Sequence, residues 1–173
     1  WFSDPDYGIM SDYEGFRSEC EQPARFVYRI DPATGHVDMV ADDFSKPNGL
    51  CFNAEESQLF IADSGRGHDP EGLHHIRAFN FSNENAVSNG RVFCEVDPGV
   101  LDGFRLDTHG NLWSSCQDGA ICFGSDGTPL GKIRIPTIFA NLTFGGPRRN
   151  RLFITATNAL YAVYVATTGI QKP

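Results

Sequence analysis

The sequence predicts an all-β chain, an incomplete β-propeller of four-stranded antiparallel blades. Three observations point there. The 173 residues include 18 Gly and 10 Pro, which cut the chain into short runs and leave hardly any stretch whose 3.6-residue apolar period could sustain a helix. The runs between these breaks read as many short strands, the pattern of a sandwich, a barrel or a propeller. An internal repeat then decides among the three.

Taken in order, Trp1-Phe2-Ser3-Asp4 reads as the second strand of a blade whose first strand lies upstream. Strands at 25–30 and 36–41 follow in this partial blade, 1–45. The next blade, 48–97, opens with Asn48-Gly49-Leu50-Cys51-Phe52, crosses a polar turn to Leu59-Phe60-Ile61-Ala62-Asp63, and continues through 75–79 and 90–95. The blade at 102–136 repeats that opening. There Asp102-Gly103-Phe104-Arg105-Leu106-Asp107 and the turn Thr108-His109-Gly110 lead to Asn111-Leu112-Trp113-Ser114-Ser115, then to strands at 120–123 and 131–135. A third copy begins the last blade, 139–166, where Asn141-Leu142-Thr143-Phe144 passes through Gly145-Gly146-Pro147 to Arg151-Leu152-Phe153-Ile154-Thr155 and a strand at 159–165. From Phe60 to Leu112 to Phe153 the steps are 52 and 41 residues, close to the roughly 40–50 of one propeller blade.

The last blade shows three strands, so its fourth is expected from upstream sequence. Residues 1–173 thus read as a single domain, part of a propeller. Three to four blades cannot close a ring, and their free edges favour pairing with other chains. The isolated chain is therefore expected to be less stable than the full-length protein and inactive alone.

Composition narrows the partners. Asp and Glu number 22 against 14 Lys and Arg, a formal charge of −8. Scattered cations in an acidic chain do not make the stripe that phosphate neutralisation requires, which argues against nucleic acid and anionic membrane surfaces. The longest apolar run, 159–166, is eight residues, against roughly 20 for a membrane-spanning helix. The chain starts at Trp1 with no initiator Met, basic n-region or signal-type apolar segment, so it reads as the interior of a longer protein. Five cysteines without a CxxC pair do not form a disulfide framework, and four are expected reduced in strands. Two N-x-S/T triplets, at Asn80 and Asn141, permit glycosylation only if the protein is secreted. They leave the compartment open, cytoplasmic or secreted, and composition is silent on oligomeric state.

Each repeat begins with an oxygen-bearing side chain at one offset before its innermost strand: Asn48, Asp102 and Asn141. Such strand starts converge on a propeller's central channel, and converging oxygens suit a hard cation such as Ca2+ or Mg2+. A second reading stays open. Asn48-Gly49 and Asp102-Gly103 are also strong turn dipeptides that need no ligand, and Asn141 could serve only backbone groups where its strand begins. Asp63 and Ser64 read as a turn after a strand. His74 and His75 point to opposite faces of a strand, and His36, His68 and His109 sit singly in polar turns. No G-x-S-x-G elbow, HExxH or P-loop is present.

The segments Lys46-Pro47-Asn48-Gly49-Leu50, 59–63, Leu101-Asp102-Gly103-Phe104-Arg105-Leu106-Asp107, Gly110-Asn111-Leu112-Trp113 and Phe144-Gly145-Gly146 together resemble the gluconolactonase/regucalcin family. The opening Trp1-Phe2-Ser3-Asp4-Pro5-Asp6-Tyr7-Gly8 is similar to that family's W-F-[ST]-D-P-x-Y-G segment, so the likeness spans nearly the whole chain. The resemblance implies about half of a six-bladed propeller from a calcium-dependent lactonase acting on small sugar lactones. It also implies a metal held by an upstream Glu, by the Asn of P-N-G and by the Asp of P-D-G, which fall on Asn48 and Asp102. Leu101 stands where the family has Pro, a change in turn stiffness rather than in ligand chemistry. The metal, Ca2+ first with Mg2+, Mn2+ or Zn2+ as alternatives, would polarise the lactone carbonyl while Asp102 activates or orients the attacking water. Asn141 would line the channel. Substrate-contacting residues are expected upstream of Trp1. Two non-catalytic readings stand beside this one: a calcium-binding propeller, and an interaction scaffold, because fold does not settle function.

Overall fold

The computed structural model describes residues 1–81 and 86–171. Fourteen strands among them form four antiparallel sheets. The first sheet has the order β1 (Phe2–Asp4), β2 (Phe26–Ile30), β3 (Val37–Ala41). The second runs β4 (Pro47–Phe52), β5 (Gln58–Asp63), β6 (His75–Phe81), β7 (Val87–Glu95), and the third β8 (Phe104–Leu106), β9 (Leu112–Cys116), β10 (Gly119–Phe123), β11 (Pro129–Arg134). The fourth is β12 (Phe139–Gly145), β13 (Arg151–Ala156), β14 (Ala159–Tyr164). Each sheet is a meander, and the whole is an all-β, incomplete propeller. β1 lies against β4 as β9 lies against β12, the relation of a second strand to the next blade's first.

The continuous apolar runs come from burial on both faces of a sheet. In β5, Leu59 and Ile61 pack toward the first sheet with Val27, Phe44 and Phe79, while Phe60 and Ala62 pack toward the third with Phe104, Leu106 and Leu112. A third cluster, including Ala120, Leu142 and Ile154, joins the third and fourth sheets. Successive side chains alternate faces, so a strand sandwiched between two neighbours needs apolar residues at every position. Ile61 is fully buried, and Ile61→Val in the full-length protein is expected to cost about 0.5–1.5 kcal/mol. A chemical-denaturation midpoint unchanged from wild type would contradict this packing.

Most strand bounds match the turn signals, and the differences have local causes. β7 starts three residues earlier than expected, with register shifts against β6 and Asn89 at φ 53, a conformation Asn tolerates better than most residues. The sequence also missed a one-turn helix at Tyr7–Met10, which has no side-chain cap and is too short for periodicity to register. Cys51, Cys94, Cys116 and Cys122 are buried, unpaired and in strands, and Cys20 is exposed. Ser82 of the first N-x-S triplet lies outside the described residues.

Antiparallel order sends the start of every inner strand to one face. The turns after β5, β9 and β13 share that face, and those after β4, β8 and β12 occupy the other. On the far face Asp107, almost fully buried, accepts hydrogen bonds from the His109 and Asn111 backbone N–H groups, Asn111 Nδ2 and Trp113 Nε1. Burial pushes its carboxyl up, but these donors together outweigh burial and hold it below the usual range.

Candidate functional site

On the near face, Asn48 and Asp102 line one cavity of about 370 Å3, together with Tyr7, Glu14, Ser64 and His68. Asn48 is aimed by an irregularity. Pairing of β4 with β5 shifts register between Pro47 and Leu50, so Asn48 and Gly49 sit in a bulge, which re-aims side chains. The bulge is pinned from below by Asp63, a fully buried carboxylate that accepts the N–H groups of Ser45, Lys46 and Gly65 at 2.7, 3.0 and 3.1 Å. Ser3 Oγ donates to the Asn48 carbonyl at 2.7 Å.

Asp102 is held by its neighbours in sequence and in space. Its N–H donates to Ser115 Oγ at 2.8 Å, and Ser64 Oγ donates to the carbonyl of Leu101, which is fully buried. Gly49 and Gly103 are not the glycines of tight turns. Neither has positive φ, so neither supplies the left-handed residue of a tight turn. A Cβ on Gly49 would lie 2.3 Å from the Asp102 carbonyl, and one on Gly103 would lie 2.1 Å from Asn141 Oδ1. Glycine is needed because each inner strand begins against the next blade.

Burial raises the Asp102 carboxyl above its ordinary value; the Asn48 side chain pulls the other way and the Glu14 charge adds to the rise. Among the described residues no cation acts on it. Tyr7 is pushed up to about 12, chiefly by burial, with the charges of Asp102 and Asp63 adding to the rise and Ser64 and Asn48 opposing it. Its phenol is therefore a proton-bearing donor at neutral pH. Lys46 Nζ sits 5.1 Å from the Tyr7 ring centre and pairs with Asp6, which ties the helix at Tyr7–Met10 to the strand that carries Asn48.

The register corrects the expectation for Asn141. Leu142 pairs with Ile154 as Phe104 pairs with Ser114 and Leu50 with Ile61, so Ala140 stands where Asp102 and Asn48 do. Asn141 falls one residue on, its Oδ1 accepting the Leu142 N–H at 2.8 Å and its side chain covering Gly103. It is not among the residues that line the cavity. His68 is exposed as expected yet packs on Tyr7, with ring centres 5.4 Å apart. Tyr7, Glu14 and Ser64 were missed as site residues. The signal for Tyr7 lay in the opening W-F-S-D-P-D-Y-G segment, which the sequence reading used for order rather than for chemistry.

Among the described residues no group of three or more His, Cys, Asp or Glu could hold a metal ion. Asn48 and Asp102 offer an amide oxygen and a half-buried carboxylate. Hard oxygen donors of this kind fit a hard divalent cation that finds further ligands elsewhere.

Residues 1–158 match the SMP-30/gluconolactonase/LRE-like region. The chain belongs to that family. Among SMP-30/gluconolactonase relatives, a gluconolactonase of Zymomonas mobilis is 30% identical over 181 residues, covering 98% of this chain and 48% of its own length. A pentonolactonase of Haloferax volcanii is 27% identical, covering 83% of this chain and 55% of its own. The solved structure of a Xanthomonas campestris gluconolactonase superposes with TM-score 0.86 at 34% identity, over 95% of this chain and 52% of that one. The chain thus spans about half the length of the relatives it matches.

Proposed function

We propose that the full-length protein opens small sugar lactones, with Asn48 and Asp102 holding a divalent cation, Ca2+ first and Mg2+, Mn2+ or Zn2+ as alternatives. The observation that carries this reading is the meeting of Asn48 and Asp102, from successive blades, in one cavity where the half-buried carboxylate has no cation beside it among the described residues. The gluconolactonase and pentonolactonase relatives support the substrate class.

Ring opening adds water to the lactone carbonyl carbon, breaks the ring C–O bond and leaves a hydroxy acid. A bound cation supplies Lewis-acid stabilisation of the negative charge that grows on the carbonyl oxygen. Asn48 Oδ1 and the Asp102 carboxylate would hold that cation in place. Asp102 also accepts the proton of the attacking water and returns it to the departing ring oxygen. The Tyr7 hydroxyl orients substrate as a hydrogen-bond donor.

In the full-length protein, chelation is expected to abolish hydrolysis of gluconolactone, followed by pH-stat titration, and Ca2+ add-back to restore it. A protein that binds Ca2+ by calorimetry but opens no lactone in any of the four metals would overturn this reading in favour of the calcium-binding propeller.

A further inference from the structure

A second, larger cavity of about 590 Å3 adjoins the first and shares Gly67, Val100 and Asp102 with it. It is a groove on the near face of the third and fourth sheets, with Val100, Ile138, Phe139, Ala140 and Ala156 among its walls. Of its polar residues, Thr155, Thr157 and Cys116 are engaged within the protein, while Arg66, at one end, has a buried Nε with no partner among the described residues. Thr155 Oγ1 donates to the Asn141 carbonyl at 3.0 Å and Thr157 Oγ1 to the Ile138 carbonyl at 2.9 Å. Cys116 Sγ donates to the Gly119 carbonyl, and Arg66 stands 3.8 Å from Asp97. A hydroxyl-rich occupant would give up its water for few partners, whereas an apolar one loses nothing by leaving water. The volume lies within the usual range for small-molecule sites, roughly 300–1,000 Å3.

We propose that this groove receives an apolar substituent of the lactone whose carbonyl is attacked at Asp102, so that, for a given ring, an alkyl or aryl tail raises reactivity and extends the range beyond sugar lactones. The assignment rests on the lactonase reading. Asp102 borders both spaces, so a ring placed at its carboxylate can send a substituent into the groove without crossing the protein.

The test uses the full-length protein and γ-lactones with tails from methyl to hexyl. The value of kcat/KM is expected to rise roughly threefold per methylene buried. Ala140→Phe, which fills the groove, and Ile138→Asp, which makes its wall polar, are expected to cut the hexyl-to-methyl ratio at least about tenfold, the loss of roughly two buried methylenes. Both positions are exposed, so neither change disturbs the core. Calorimetry with 3-alkylcyclopentanones, which keep ring and tail but cannot be hydrolysed, reads the groove independently of turnover. Lactone opening at a rate indifferent to tail length overturns the groove assignment and leaves the lactonase reading standing, as happens if the protein's own upstream blades fill the groove. Ketone affinity that climbs with tail length, with no lactone opened, supports the groove and overturns the lactonase reading. Ketone affinity that ignores tail length overturns the groove assignment whatever the turnover.

Discussion

Asp102→Asn in the full-length protein is expected to lower lactone turnover by about 10²–10⁴-fold at saturating metal, the usual worth of a positioned acid–base group. The change is nearly isosteric and leaves the backbone contacts of Asp102, its N–H to Ser115 Oγ and the adjoining Leu101 carbonyl, as they are. Fold and cavity shape are therefore preserved while a ligand charge and the base are lost. Asn48→Ala is expected to act differently, weakening metal affinity and recovering much of its turnover when metal is raised. Steady-state rates measured across a metal titration separate the two. Wild-type turnover in Asp102→Asn would remove Asp102 as the base.

The second large effect concerns stability. Asp6 joins Arg25 and Lys46, and Lys46 is buried with its ammonium near the Tyr7 ring. Asp6→Ala would leave that ammonium buried without its counter-charge, at an expected cost of about 3–5 kcal/mol. A partner substitution, Lys46→Met, should recover part of the loss, because an apolar side chain has no charge to strand. The bond from Arg25 is the main cause that holds the Asp6 carboxyl well below its usual 3.8, with burial opposing and Lys46 reinforcing it. A depressed native pKa means the contribution is complete above pH about 4 and is lost as pH falls through the unfolded value toward the native one. Denaturation midpoints from pH 7 to pH 3 should show wild type falling toward the Asp6→Ala variant. Parallel curves would contradict the assignment.

Much of the fold was legible because blades write themselves twice, as short strands and as a repeat. Double-sided burial made β5 and β10 unmistakably apolar, and the turn signals lay close to the observed strand ends. Asn48 and Asp102 were legible through their common offset, but not the reason for the glycines after them. A glycine that permits positive φ and a glycine that clears a neighbouring carbonyl are the same letter, and only the meeting of two blades tells them apart. Tyr7 and Glu14 were hidden for a related reason. Their position depends on residues 8–18 folding back on themselves, with the Phe16 N–H bonded to the Gly8 carbonyl and the Ser18 N–H to the Ile9 carbonyl, and no periodicity announces such a segment.

The separation of turns between two faces has a practical side. Asp126 and Gly127, in the hairpin between β10 and β11, lie at the end of the third sheet away from Asn48 and Asp102. A fluorescent dye or an affinity handle attached there would travel with the molecule yet stay clear of whatever enters from the opposite side. Libraries built to change substrate preference have the complementary address: the connections after β5, β9 and β13, and those that lead into β8 and β12. With Asp102 and Gly103, which lie in the segment before β8, held fixed, variation confined to those segments edits the rim of the cleft.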